Sequence, residues 1–200
     1  MTTTSVRNGR SVWEYSLTRR KALEMREGEK AKCPEDIARF LRALEIQNEE
    51  QEHFLTIVLD VKNTIKGFFT VTIGLIDRAP VAAREVFRLA ILQGASKVVV
   101  AHNHPSGDPT PSAQDIACTR EVVAAGKIIG IEVMDHIILG LPSPTRARDY
   151  ISFREENLLC FDPRHRHLWN TTSDTRKGHE TCQAMDRMSN CSKRSAGKAS

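Results

Sequence analysis

Apolar positions along the chain switch between two periods. At Ile37, Phe40, Leu41 and Leu44 they recur at i, i+3, i+4 and i+7, one helical stripe, and Pro34 just ahead suits the first position of a helix. Residues 54–60 and 65–74 are rich in β-branched and aromatic side chains and read as two strands, with Val61-Lys62-Asn63-Thr64 as the hairpin connection. A second helix opens at Pro80 and closes at Gly94, with Val86, Phe87, Ala90 and Ile91 on one face. Residues 97–102 (KVVVAH) form a short buried strand. Three prolines and a glycine mark 103–111 as a turn-rich loop. A third helix is expected over 112–125, a strand over 131–140, a loop over 142–148 and a short closing strand near 150–153. The order helix, hairpin, helix, strand, loop, helix, strand predicts an α/β protein with helices packed on a mixed sheet.

The ends differ from this middle. Residues 1–33 are polar and charged, with Trp13 and Tyr15 as their large aromatics, and read as a loosely ordered lead-in with helix around 18–29. After Phe161 the apolar periodicity stops, and 161–200 reads as a disordered tail. The expected organisation is therefore a lead-in (1–33), one domain (34–160) and a tail (161–200). Net charge is +4, and residues 160–200 carry eight Lys/Arg against four Asp/Glu, so the remainder is balanced. A neutral core gives no case for a domain built to grip phosphate. The first residues are polar with no apolar run after them, and the longest apolar runs are too short to span a bilayer, so a cytoplasmic, membrane-free protein is expected. Cys33, Cys118, Cys160, Cys182 and Cys191 are odd in number and widely spaced, which fits a reducing compartment rather than a disulfide framework.

The chemistry concentrates in AHNHPSGDPTPSAQD, residues 101–115. If the strand continues through His102 and His104, both rings point to one side, because side chains alternate along a strand. Asp115 lies on the first turn of the next helix, returned by the Pro/Gly loop. Two imidazoles and a carboxylate suit zinc and leave one position open, the pattern of a catalytic site. Ser112 and Asp115 are also a near capping box, in which the serine caps the helix and the aspartate sits at the positive end of its dipole. The two readings are compatible. Asp135 and His136 adjoin in a strand and face opposite sides; one of them could support the metal site, and satisfied structural polar groups are the alternative. His165-x-His167 and His179-x-x-Cys182 have permissive metal spacing but no C-x-x-C anchor.

The joint pattern H-x-H-x7-S-x2-D resembles the signature of the JAMM (MPN+) metalloproteases. The wider string HNHPSGDPTPS, with MDHIILG at 134–140 and SFREENLL at 152–159, looks like the RadC branch, and the resemblance covers roughly residues 34–159. It implies the JAMM fold, a curved sheet flanked by helices, and one zinc per chain held by His102, His104 and Asp115. It also implies a glutamate ahead of the histidine pair, at the start of the first core strand. Glu52 best matches that place and Glu85 competes for it, while His53 reads as a strand-edge residue. The branch usually carries His-Pro where this chain has Ala82-Ala83 before Arg84-Glu85-Val86-Phe87, and the 141–149 loop looks long. The helix-hairpin-helix module that precedes the domain in longer members of the branch does not appear in residues 1–33, so a short, stand-alone form is expected.

The activity implied is hydrolysis of a peptide or isopeptide amide by metal-activated water, with Glu52 as general base and Ser112 as hydrogen-bond donor to the oxyanion. The expected partner is a peptide or protein substrate; oligomeric state is left open. Two rivals stand beside it. One is a DNA-repair or mobile-element accessory role, with weak nucleic-acid contact through the basic tail. The other is a non-catalytic scaffold, against which the intact His102, His104, Asp115 and Ser112 argue.

Overall fold

A computed structural model describes residues 30–74, 81–159 and 161. The elements are α1 (Pro34–Ala43), a 3-10 turn at Ile46–Asn48, β1 (His53–Leu59), β2 (Ile65–Ile73), α2 (Ala83–Leu92), β3 (Lys97–Asn103), α3 (Ala113–Ile129), β4 (Glu132–Leu139) and β5 (Tyr150–Ser152). The sheet order is β2-β1-β3-β4-β5. Only β3 and β4 are parallel; α3 is their crossover, and the other three pairings are antiparallel. Three helices thus flank a five-stranded mixed sheet, the α/β architecture expected.

Side-chain alternation divides the core into two layers. Val98 and Val100 of β3 face α2 and α3, where they meet Val86, Phe87, Cys118 and Val122. Val99 and Ala101 face α1, against Ile37, Ala38, Phe40 and Leu41. His102 continues the Val98–Val100 series and is fully buried. This alternation carries its ring to the layer where α3 begins.

Several boundaries move for identifiable reasons. Helix α3 runs four residues past the expected end at Ala125, because Gly126 is a packing position rather than a stop. A Cβ there would lie 2.6 Å from the Ile131 carbonyl oxygen and 3.1 Å from Phe87. The helix ends instead at Gly130, whose φ of 82° is the left-handed cap. Helix α2 opens at Ala83 rather than Pro80, which lies outside the described residues, as do the stretches read as lead-in and tail up to residue 29 and from 162. The packed unit takes in a little more than 34–160: Ala31 and Phe161 are both buried in the core, and Lys30 bridges to Thr64. Among the described residues no helix is long and apolar enough to cross a membrane.

Candidate metal centre

Three elements end at one place. Strand β3 delivers His102 as its penultimate residue, and the chain turns at His104, whose backbone N–H donates to the Leu139 carbonyl at 2.9 Å. Helix α3 opens on Ser112, which accepts from the Asp115 N–H at 3.1 Å, while the Ser112 N–H donates back to Asp115 Oδ2 at 2.7 Å. This capping box is real, and it fixes the Asp115 carboxylate while leaving Oδ1 turned to His102. Glu52 stands just before β1 and brings a third chain segment to the same point.

One donor atom from each of Glu52, His102, His104 and Asp115 lies within 4.8 Å of all the others. His102 Nε2 is 3.0 Å from His104 Nε2, 3.3 Å from Glu52 Oε1 and 3.4 Å from Asp115 Oδ1; His104 Nε2 is 3.7 Å from Asp115 Oδ2. Glu85 is elsewhere, on α2, paired with Arg84 and Arg88 at 3.4 and 3.2 Å. Of the two glutamates weighed from the sequence, Glu52 is the one at the cluster. The tail motifs at His165, His167, His179 and Cys182 lie outside the described residues.

The donor set fits a cation. His104 Nδ1 is bonded to the Asp108 carbonyl at 2.7 Å, and a carbonyl only accepts, so Nδ1 carries that ring's proton and Nε2 is left with a lone pair. His102 Nδ1 is likewise taken up, by His136 Nε2 at 2.8 Å. Two Nε2 atoms then face each other across 3.0 Å with two carboxylates beside them, a concentration of electron density that calls for positive charge. The electrostatics agree. Burial, reinforced by His136, holds His102 well below its ordinary value, which is the neutral form a metal needs. Burial would lower His104 too, but its bonds to Asp115 and the Asp108 carbonyl outweigh that and raise it. Burial works to raise the Asp115 carboxyl, yet the bond to His104, the field of His102 and the bonds from Ser112 together hold it well below the usual carboxylate range.

A family model described as RadC-like JAB domain matches residues 31–158. The chain belongs to the RadC-like JAB domain family. Similar proteins include a UPF0758 protein of Chloroflexus aurantiacus, 43% identical over 127 residues, covering 64% of this chain and 52% of that protein. A UPF0758 protein of Geobacillus thermodenitrificans is 46% identical over 128 residues, 64% of this chain and 54% of its own length. Another, from Desulforamulus reducens, is 43% identical over 109 residues, 54% of this chain and 48% of that protein. The chain spans about half the length of these curated relatives.

In this RadC-like domain the residues around the cluster include three that the sequence reading did not assign a part. Asn103, between the two histidines, is fully buried and bonds to backbone on both sides of Glu52. Thr119, one turn into α3 from Asp115, donates to the Asp115 carbonyl; its i+4 spacing on the same helix face was the available signal. Arg146, in the long 141–149 loop, bonds to the Asp108 carboxylate at 2.8 Å and the Gly107 carbonyl at 2.7 Å, pinning the loop that carries His104. Of the Asp135-His136 pair, His136 faces the cluster. Asp135 turns away, accepting from Ser152 Oγ and from the backbone of His136 and Arg154. Burial pushes the Asp135 carboxyl up to about 6 and the His136 imidazole down to about 3. Ser112 is exposed, and its hydroxyl donates to Asp115 Oδ2 at 2.6 Å.

Proposed function

We propose that this RadC-like domain is a zinc-dependent hydrolase of peptide or isopeptide amides. The observation that carries the reading is the pair of histidine Nε2 atoms at 3.0 Å, each ring with its Nδ1 already bonded, beside the carboxylates of Asp115 and Glu52. His102, His104 and Asp115 would hold the metal: two neutral imidazoles and a carboxylate suit zinc better than calcium or magnesium. Bound there, zinc supplies the Lewis acidity that makes water nucleophilic near neutral pH.

Glu52 is then the group left to move protons. Both histidines are committed to the metal, whereas Glu52 comes from a separate segment, is mostly buried, and puts Oε1 within 3.3 Å of His102 Nε2. It takes a proton from the attacking water and returns it to the leaving amine. Ser112 is the candidate donor to the oxyanion, and its hydroxyl would have to leave Asp115 Oδ2 to serve. The substrate on this reading is a peptide or protein.

Metal analysis of the purified full chain tests the reading. About one zinc per chain is expected, lost in His102→Ala and in Asp115→Ala. Full zinc content in both variants would sink it.

A further inference from the structure

His102 has a neighbour that the proposed hydrolysis does not use. His136, on β4, is fully buried, and its ring is stacked on Phe153 at 4.6 Å and edge-on to Phe54 at 5.5 Å. Its Nε2 meets His102 Nδ1 at 2.8 Å, and its Nδ1 meets Thr119 Oγ1 at 2.5 Å. Thr119 Oγ1 also meets the Asp115 carbonyl oxygen at 2.5 Å.

These contacts have one consistent arrangement of protons. The Asp115 carbonyl can only accept, so the single hydroxyl proton of Thr119 goes to it. Thr119 Oγ1 must then accept from His136, which places the His136 proton on Nδ1. His136 Nε2 is left with a lone pair and accepts from His102 Nδ1–H. His102 Nε2 is therefore bare, and it is the atom that faces His104, Asp115 and Glu52. The opposite sense would need a second proton on His136, burying a cation between two phenylalanine rings with both its nitrogens bonded to neutral groups.

We propose that His136, backed by Thr119, is a positioning residue that locks His102 in the tautomer presenting an unprotonated Nε2 to the cluster. The proposal rests on the metal reading of that cluster. The relay begins at the backbone of one proposed ligand, Asp115, and ends on the ring of another, His102, so it also braces the start of α3 against the end of β3. Hydrogen bonds of this kind orient ligating histidines and raise their basicity.

The test uses the full chain and two readouts. The first is long-range proton–nitrogen NMR of the imidazoles in metal-free protein, which reports the tautomer directly. His102 and His136 should each carry the proton on Nδ1; a proton on Nε2 of either would overturn the relay. The second is zinc affinity by chelator competition. His136→Leu removes the acceptor at similar volume and should weaken binding by roughly 10–100-fold. His136→Gln, whose amide oxygen can reach the place of Nε2, should recover most of it. A folded His136→Leu with unchanged affinity, or a His136→Gln as weak as the leucine variant, would reduce His136 to packing and refute the proposal. If His136→Leu does not fold, the tautomers of the unaltered chain still decide. If the unaltered chain takes up no zinc, the metal reading fails, whereas the tautomer pattern separately decides the relay.

Discussion

Asn103 grips the chain on both sides of Glu52. Its Oδ1 accepts from the His53 N–H at 2.8 Å, and its Nδ2 donates to the Gln51 carbonyl at 3.1 Å and the Glu49 carbonyl at 3.4 Å. The β1–β3 ladder ends at the pair Phe54–His102, and beyond it the asparagine amide takes over the pairing. The residue between the two histidines therefore sets the backbone of the proposed base, and one strand end fixes three members of the site.

Removing that clamp should separate the base from the metal. Asn103→Ala strands the part-buried His53 N–H, at a cost of about 1–3 kcal/mol, and releases the Gln51 and Glu49 carbonyls, which lie on exposed residues and can turn to water. His102 and His104 remain, so zinc content should stay near that of the unaltered chain while hydrolysis falls. Urea unfolding and metal analysis of the same preparation check both. Unchanged stability would show that the clamp holds nothing.

Glu52→Gln asks whether Glu52 moves protons or only binds. The amide has nearly the same shape and cannot take a proton. Zinc should be kept, and amide hydrolysis should fall by roughly 10²-fold or more. Loss of zinc in this variant would make Glu52 a ligand instead.

Gly140 is where the His104 loop rests on the sheet. A Cβ there would lie 2.4 Å from the Gly107 carbonyl oxygen and 2.8 Å from Pro109 Cδ. The same carbonyl accepts from Leu141 N–H at 2.9 Å and from Arg146, so the loop has little room to yield. Gly140→Ala should cost about 1–3 kcal/mol by overpacking and weaken zinc binding through His104. Gly130→Ala is the control. Its φ of 82° is strained for alanine, but no atom lies within 4 Å of the added Cβ, so stability should drop with zinc affinity intact. Equal zinc affinity in both variants would disconnect Gly140 from the site.

Much of this site was legible because it rests on local patterns. The H-x-H spacing at the end of β3 was enough to bring the His102 and His104 rings together, and the Ser112–Asp115 cap was readable from spacing alone. What escaped depends on registers that no local pattern carries. His136 faces His102 because the β3–β4 pairing shifts between Val98 and Val99, so that His136 lies opposite Val100. A regular ladder would have moved Asp135 to that place. Asn103 sits in a stretch that reads as loop, and its partners are about fifty residues away in sequence. Gly126 reads as a helix breaker until Phe87 and Ile131 are known to press against it.

Asp135 gives the fold a pH dependence of unusual sign. Its carboxyl is fully buried, and burial pushes it up from 3.8 to about 6 despite the bonds from Ser152, Arg154 and His136. The folded state thus binds this proton more tightly than the unfolded chain does. Stability from this group is fully present below the unfolded value near pH 4. It declines as pH rises toward 6 and stays lower above that, by about 3 kcal/mol for a shift of this size. Asp115, Asp149 and Asp108 are shifted downward and pull the other way, losing stability as acid is added. The contribution of Asp135 therefore shows as a difference between proteins rather than as a raw slope. In Asp135→Asn the amide oxygen can keep the two backbone N–H bonds, and the amide nitrogen can donate to Ser152 Oγ, which is able to accept. Unfolding free energies of the two proteins, measured by urea titration from pH 4 to 7, should diverge as pH rises, with the asparagine variant gaining relative to the unaltered chain. Parallel curves would mean that Asp135 titrates at an ordinary value in the fold, and that its buried bonds offset desolvation in full.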